Sequence, residues 1–202
     1  MTHSRTPQDD VLLHRVRDHL HGSALLFDAV SQSCLSQALS AARMVADAFA
    51  GNHTLLLCGN GGSAADCQHM AAEFMSCLCK EHKRRALPAI ALTTDTSFLT
   101  AYSNDESFDG VFARQVEALG QRGDVLLGIS TSGNSINVLL AMKEAKKRGL
   151  RTIALTGAAG GKIGDLADVL VAVPSTDTQH VQESHLALEH CICDVVEQIL
   201  FS

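Results

Sequence analysis

Between Asp9 and Ala50 apolar residues recur at helical spacing, at Leu25, Leu26, Val30, Leu35, Leu39, Ala42, Val45, Ala46 and Phe49. The stretch holds no proline and one glycine, Gly22. It predicts helix throughout, divided in two at Gly22-Ser23. After Gly51-Asn52 the pattern changes. Short unbroken apolar runs occupy Thr54–Cys58, Ala89–Leu92, Val125–Ile129, Thr152–Leu155 and Val169–Val173. Runs without alternation are what strands buried on both faces look like. Helical segments are predicted at about Ala64–Cys79, Asp109–Ala118, Ile136–Arg148 (ended by Gly149) and Thr178–Phe201. Strand alternating with helix predicts an α/β domain with a parallel sheet and right-handed crossovers. The division expected is a helical segment at 1–50, packed on the domain or in an oligomer, and a sheet domain at 51–202.

A chain of 202 residues with 46% apolar content is enough for one well-buried core. Sixteen basic against twenty-two acidic residues leave a net charge of −6. That excludes a broad nucleic-acid footprint but not a local anion site. The polar opening MTHSRTPQDD does not read as a signal peptide, and no apolar run approaches the roughly 20 residues of a membrane span. The expectation is a soluble, cytoplasmic protein without membrane or nucleic-acid partners. The seven cysteines form no CxxC. Cys77/Cys79 and Cys191/Cys193 fall in predicted helices, where residues two apart point about 200° away from each other. They read as small thiols rather than as zinc ligands or disulfides.

In an open parallel sheet, ligands bind at the carboxyl ends of the strands, and this chain puts its unusual loops there. The first is Gly59-Asn60-Gly61-Gly62-Ser63, whose glycines let the backbone approach a ligand and whose Ser63 can cap the next helix. A plain capped turn explains this loop equally well. The second, Ser130-Thr131-Ser132-Gly133-Asn134-Ser135, has more hydroxyls than capping needs. Backbone N–H groups, a helix dipole and hydroxyl donors together can hold a phosphate without Lys or Arg. Neither loop has a nucleotide-binding fingerprint, which favours a smaller phosphorylated ligand. The loop Thr156–Lys162 reads as structural or as a lid, and Asn104-Asp105 as an ordinary turn.

His69 and Glu73 stand four apart on the helix after the glycine loop and share a face. Such a pair binds zinc, sets a carboxylate beside a ligand, or is simply solvated; the apolar neighbours Met70, Ala71, Ala72, Phe74 and Met75 weigh against the last. Gln182, Glu183, His185, Glu189 and His190 likewise interrupt the last helix.

Five segments together carry a resemblance: GNGGSAADCQHMAAEF, LTTDTSFLTAYSNDESFDGVFARQVEALG, GDVLLGISTSGNSINVL, IALTGAAGGKI and VQESHLALEH. In order and spacing they resemble the bacterial sedoheptulose 7-phosphate isomerases of the sugar-isomerase (SIS) domain family, from about Asn52 to the C-terminus. The resemblance implies a flavodoxin-like three-layer α/β sandwich on a five-stranded parallel sheet, and a homotetramer with sites at subunit interfaces. It implies substrate contacts at Asn60, Gly61, Gly62, Glu73, Asn104, Asp105, Ser130, Thr131, Ser132, Ser135 and Gln182. It implies one zinc ion per subunit on His69, Glu73, Gln182 and His190, with Glu73 and His190 as catalytic pair. The implied reaction turns sedoheptulose 7-phosphate into D-glycero-D-manno-heptose 7-phosphate, a precursor of lipopolysaccharide core heptose.

Residues 182 and 190 lie about 12 Å apart along a regular helix. A shared zinc therefore needs a frayed helix start, a long glutamine reach, or ligands from two subunits. The family commonly carries Gly-Arg after the catalytic Glu where this chain has Ser76-Cys77, and Arg84 and Arg85 are the candidates to compensate for the missing cation. A relative of the same fold, the replication-initiator-binding protein, lacks the catalytic pair and would be a binding module. A phosphosugar-sensing regulator would normally carry a DNA-binding segment, and none is visible in the N-terminal helices.

Overall fold

The computed structural model describes residues 6–78 and 83–202. Five strands form one all-parallel sheet: β1 (Leu55–Gly59), β2 (Ala89–Ala91), β3 (Val125–Ser130), β4 (Arg151–Thr156) and β5 (Val169–Ala172), in the order β2-β1-β3-β4-β5. That is the flavodoxin-like order, with the strand order reversing at β1 and β3. Leu55 pairs with Val125 and Val125 with Arg151, so the central strands run in step to the loops at their carboxyl ends.

Eight α-helices accompany the strands among the described residues: α1 (Pro7–Ser33), α2 (Leu35–Ala50), α3 (Gly62–Met75), α4 (Thr96–Asp105), α5 (Val111–Leu119), α6 (Ile136–Arg148), α7 (Gly161–Gly164) and α8 (Thr178–Phe201). A 3-10 turn at Phe108–Gly110 precedes α5. Alternate strand residues face opposite layers, as the pleat requires. Leu55, Leu57, Leu127, Ile129, Ile153 and Leu155 pack with α2, α3 and α8. Leu56, Cys58, Leu126 and Ala154 pack with α5 and α6. None of the helices among the described residues is long and apolar enough to cross a membrane.

The strand expectations hold to within a residue or two, and α6 and α8 begin and end where the sequence pattern places them. Four local expectations need correction. Gly22 does not break the opening helix: α1 runs through it for 27 residues, opened by a capping box between Thr6 and Asp9. An interior glycine costs only about 1 kcal/mol against alanine, too little to divide a long helix. The chain breaks at Cys34, a buried residue whose thiol points to the Ala172 carbonyl of β5. Asn104-Asp105, expected as an ordinary turn, is instead the last turn of α4, a helix capped by the Asp95 side chain on the Phe98 N–H. Ser63 is not a cap but a buried residue inside α3, whose N-cap is Gly61. Finally, α3 stops at Met75 rather than continuing to Cys79, which lies outside the described residues.

Arg84 accounts for the early end of α3. Its guanidinium donates to the carbonyls of Glu73 (2.7 Å) and Phe74 (2.9 Å), groups of the last turn that lack partners within the helix. The same group pairs with Glu197 of α8 at 2.6 Å, with both side chains almost fully buried. Glu197 also accepts the Leu78 N–H. The chain leaving α3 is thus pinned to α8. Arg84 is consumed here and is not free to stand in for a substrate-contacting arginine, while the exposed Arg85 donates one bond to the Phe49 carbonyl.

Arg84→Met should destabilise the fold by about 3–5 kcal/mol, because it strands the Glu197 carboxylate in the core. Urea unfolding checks this. The double change with Glu197→Leu should recover part of the loss; a double variant no more stable than Arg84→Met would show that the pair is not what holds this joint.

Candidate active site

At the carboxyl edge of the sheet, the turn after β1 passes through Gly61 at φ 55° and ψ −121°, a conformation closed to side chains with a Cβ. Asn60, at its head, is locked to Asn137 near the start of α6 by two reciprocal amide hydrogen bonds of 2.8 Å each. This pair sets the distance between the glycine loop and the serine loop. Asn137 also bonds the Val138 N–H. It was not singled out from sequence, yet a signal existed: it is polar on the 137, 141, 145 stripe that faces the core.

The hydroxyls after β3 converge. Ser130 Oγ lies 3.0 Å from Ser135 Oγ and 3.4 Å from Ser132 Oγ. Ser135 occupies the N-cap position of α6 but makes no side-chain cap bond. Its hydroxyl therefore stays available beside the helix N-terminus, as an anion cradle requires. The loop after β4 props this cradle from behind. Gly157 N–H bonds the Thr131 carbonyl, and Ile163 N–H bonds the Gly133 carbonyl. Gly133 sits at φ 68°, and a Cβ there would overlap the Gly160 carbonyl. The Thr156–Lys162 loop is structural in this arrangement.

Across the edge, α3 and α8 bring three of the four implied metal ligands together. His69 Nε2 lies 2.8 Å from His190 Nε2 and 3.7 Å from Glu73 Oε1. Glu73 and His190 are therefore linked through His69. Ligands bound tetrahedrally at about 2.0–2.1 Å from a zinc ion stand about 3.3 Å apart, a value these two distances bracket. Two imidazoles and a carboxylate fit such an ion in type. The spacing is incomplete, because the ligand atoms of Glu73 and His190 do not come within 4.8 Å of each other around His69, and a shared ion needs one of the two side chains to swing inward.

Gln182 is placed differently. Its amide lies over Gly62, where an added Cβ would collide with it, and bonds Asp66 at 3.4 Å. Because α8 is regular from Thr178, a frayed start is not the way Gln182 reaches the metal ligands. It joins them only by leaving Asp66 or from another subunit. Asn104 and Asp105 end α4, exposed and bonded to each other at 2.8 Å.

Two further polar residues of α8 are buried. His185 is buried and donates to the Thr156 carbonyl; burial lowers its pKa to about 4, so it stays neutral. Glu189 is buried beside His190 with neither carboxylate oxygen hydrogen-bonded. Desolvation, and then Asp66, push its pKa up to about 9, which keeps it protonated. Cys34, Cys58, Cys67 and Cys193 are buried free thiols, Cys77 is half-buried and Cys191 exposed. Among the described residues, the one group of three His, Cys, Asp or Glu side chains with ligand atoms mutually within 4.8 Å is His19, His180 and Glu183.

The SIS domain family model matches residues 19–157. The phosphoheptose isomerase of Geobacter sulfurreducens is 48% identical over 190 residues, 94% of this chain and all of that protein. That of Pelobacter propionicus is 48% identical over 191 residues, 95% of this chain and all of that protein. Among solved structures, the phosphoheptose isomerase of Neisseria gonorrhoeae superposes with a TM-score of 0.87 at 45% identity, covering 93% of this chain and 99% of that one. The Francisella tularensis phosphoheptose isomerase gives 0.88 at 34% identity, covering 92% and 98%.

Asn137→Ala should cost about 1–3 kcal/mol by leaving the Asn60 amide unpaired. A urea midpoint unchanged from the parent would mean the two loops are not held by this pair.

Proposed function

The chain belongs to the SIS domain family, among its phosphoheptose isomerases, and we propose that Glu73 and His190 carry its conversion of sedoheptulose 7-phosphate to D-glycero-D-manno-heptose 7-phosphate. The observation that most supports the assignment of residues is the Glu73–His69–His190 chain at the carboxyl edge of the sheet. A non-catalytic binding module is not favoured, since the relatives that match along nearly the whole chain are named as enzymes.

The ketose carries its carbonyl at C2 and the aldose at C1. Glu73 takes a proton from C1, giving an enediol, and the proton returns to C2. His190 services the oxygens, supplying a proton to O2 as O1 gives one up. Zinc bound by His69, Glu73 and His190, with Gln182, would polarise the carbonyl and stabilise negative charge on the enediol oxygens. Asn60, Gly61, Gly62 and Gln182 hold the sugar, and Asn104 and Asp105 reach it from the end of α4. Ser130, Thr131, Ser132 and Ser135 hold the phosphate, which fixes C1 and C2 against the base.

The assembly we propose is a homotetramer acting in the cytoplasm, where its product feeds ADP-heptose and lipopolysaccharide core synthesis. Val11, Leu12, Val16, Leu20, Leu25 and Phe27 of α1 support the oligomer, because all six are exposed in the single chain. An apolar surface of that extent marks an interaction face.

Purified protein incubated with sedoheptulose 7-phosphate, with and without zinc, should yield the aldose. Absence of turnover in both arms would end the enzyme reading. Glu73→Gln should slow turnover about 10²–10⁴-fold, the usual contribution of a general base. A variant as fast as the parent would displace Glu73 from that role.

A further inference from the structure

Beyond the residues assigned to the reaction, a second cluster of metal-binding side chains lies at the first turn of α8. His19 of α1 and His180 and Glu183 of α8 bring two imidazoles and a carboxylate within 4.8 Å of one another. We propose that these three residues bind a divalent transition-metal ion, zinc by preference, at a site separate from His69, Glu73 and His190.

Four independent details of the structure support this. The first is an unsatisfied nitrogen. His180 Nε2 is buried and has no hydrogen-bond partner. A buried polar atom left unpaired is unfavourable, and a cation would supply the missing partner. The second is the orientation of the ring. His180 Nδ1 faces the Asp177 carboxylate at 3.8 Å, which leaves Nε2 for a metal. Metal-bound histidines commonly use their other nitrogen in this way.

The third detail is the way Glu183 is held. Its Oε2 accepts the Ser23 hydroxyl at 2.5 Å, while Oε1 accepts His19 Nε2–H at 2.7 Å. One oxygen is thus fixed by a neutral donor, and the other shares its direction with an imidazole. The fourth is Gly22. A Cβ at this position would lie 2.7 Å from His180 Cε1. The bare backbone of α1 lets the imidazole approach until the rings of His19 and His180 are 4.5 Å apart. The glycine in a 27-residue helix is therefore a notch for a histidine.

Two imidazoles and a carboxylate with a coordination position left over match zinc's preference for nitrogen and oxygen ligands. His19 and Glu183 also line a cleft of about 320 Å³ shared with Asp66, Gln179 and Gln182. An ion here would tie α1 to the start of α8 and fix the turn that carries Gln182 toward the glycine loop.

The test uses the full chain, freed of metal by chelator dialysis. In a His69→Ala/His190→Ala background, which removes two ligands of the other site, Co²⁺ is titrated and followed by its visible absorption bands. We expect one equivalent to bind, and at least tenfold weaker binding once His19→Ala is added. His19 is half-exposed, so its loss should leave the fold intact by circular dichroism. In the otherwise unaltered chain, His19→Ala should lower the zinc content per subunit by one equivalent. Failure of the folded double variant to bind Co²⁺, or equal binding with and without His19, would overturn the proposal. Because the readout is bound metal, it stands apart from whether the protein turns over a sugar phosphate.

Discussion

The contact between α3 and α8 is the constraint on which the site depends. The two helices come from distant parts of the chain and are tied at three points. Gln182 meets Asp66 near the start of α3, His69 meets His190 at its middle, and beyond its last turn Arg84 meets Glu197. Between the ties, Cys67, Met70 and Phe74 share one buried core with Leu188, Ile192, Cys193 and Val196. An apolar seam alone tolerates sliding, because dispersion has no direction. The polar ties give it register. Arg84 adds to this by binding the Glu73 carbonyl, so the backbone under the proposed base is held from the same anchor that holds α8.

The opposite wall of the site depends on the sheet. β1, β3 and β4 run in register and end together, so their loops emerge side by side. The Asn60–Asn137 pair sets the gap between the first two loops, and the close packing of Gly133 on the Gly160–Gly161 turn supports the second from the third. Helices over one face of the sheet place ionisable groups near its edge, while the loops place hydroxyls and bare backbone there. Imidazoles and carboxylates on the one hand, hydroxyls and bare backbone on the other, thus come from different layers of the fold.

Much of the fold was legible because its signals are local. The five unbroken apolar runs are strands, and the limits of α6 and α8 follow from apolar spacing, with Gly149 ending α6. α4 escaped because TSFLTAYSND is rich in residues that favour turns, and only Phe98, Leu99 and Tyr102 pack against the core. Its signal was the Asp95 cap. Gly22 was misread because glycine is ambiguous in sequence: it marks a break or a close approach, and only the position of His180 decides between them. The bond between His19 and Glu183 spans 164 residues, which no local pattern can reveal. The SIS resemblance brought Glu73 and His190 together as a pair, whereas the bridge through His69 and the Gln182 contact with Asp66 required coordinates.

The clamp between Asn60 and Asn137 joins two neutral amides, and neither Gly59–Ser63 nor Ser130–Ser135 contains a lysine or arginine. Forces between exposed charges fade within about 8 Å at physiological ionic strength, and they vary with every change in salt. A mouth framed by amides, hydroxyls and backbone dipoles has little of that sensitivity. Its width is set by neutral hydrogen bonds, which ionic screening barely touches. Selection at such an opening falls to shape and to the direction of donors, so a small bare anion gains little advantage there over one that carries a chain of hydroxylated carbons.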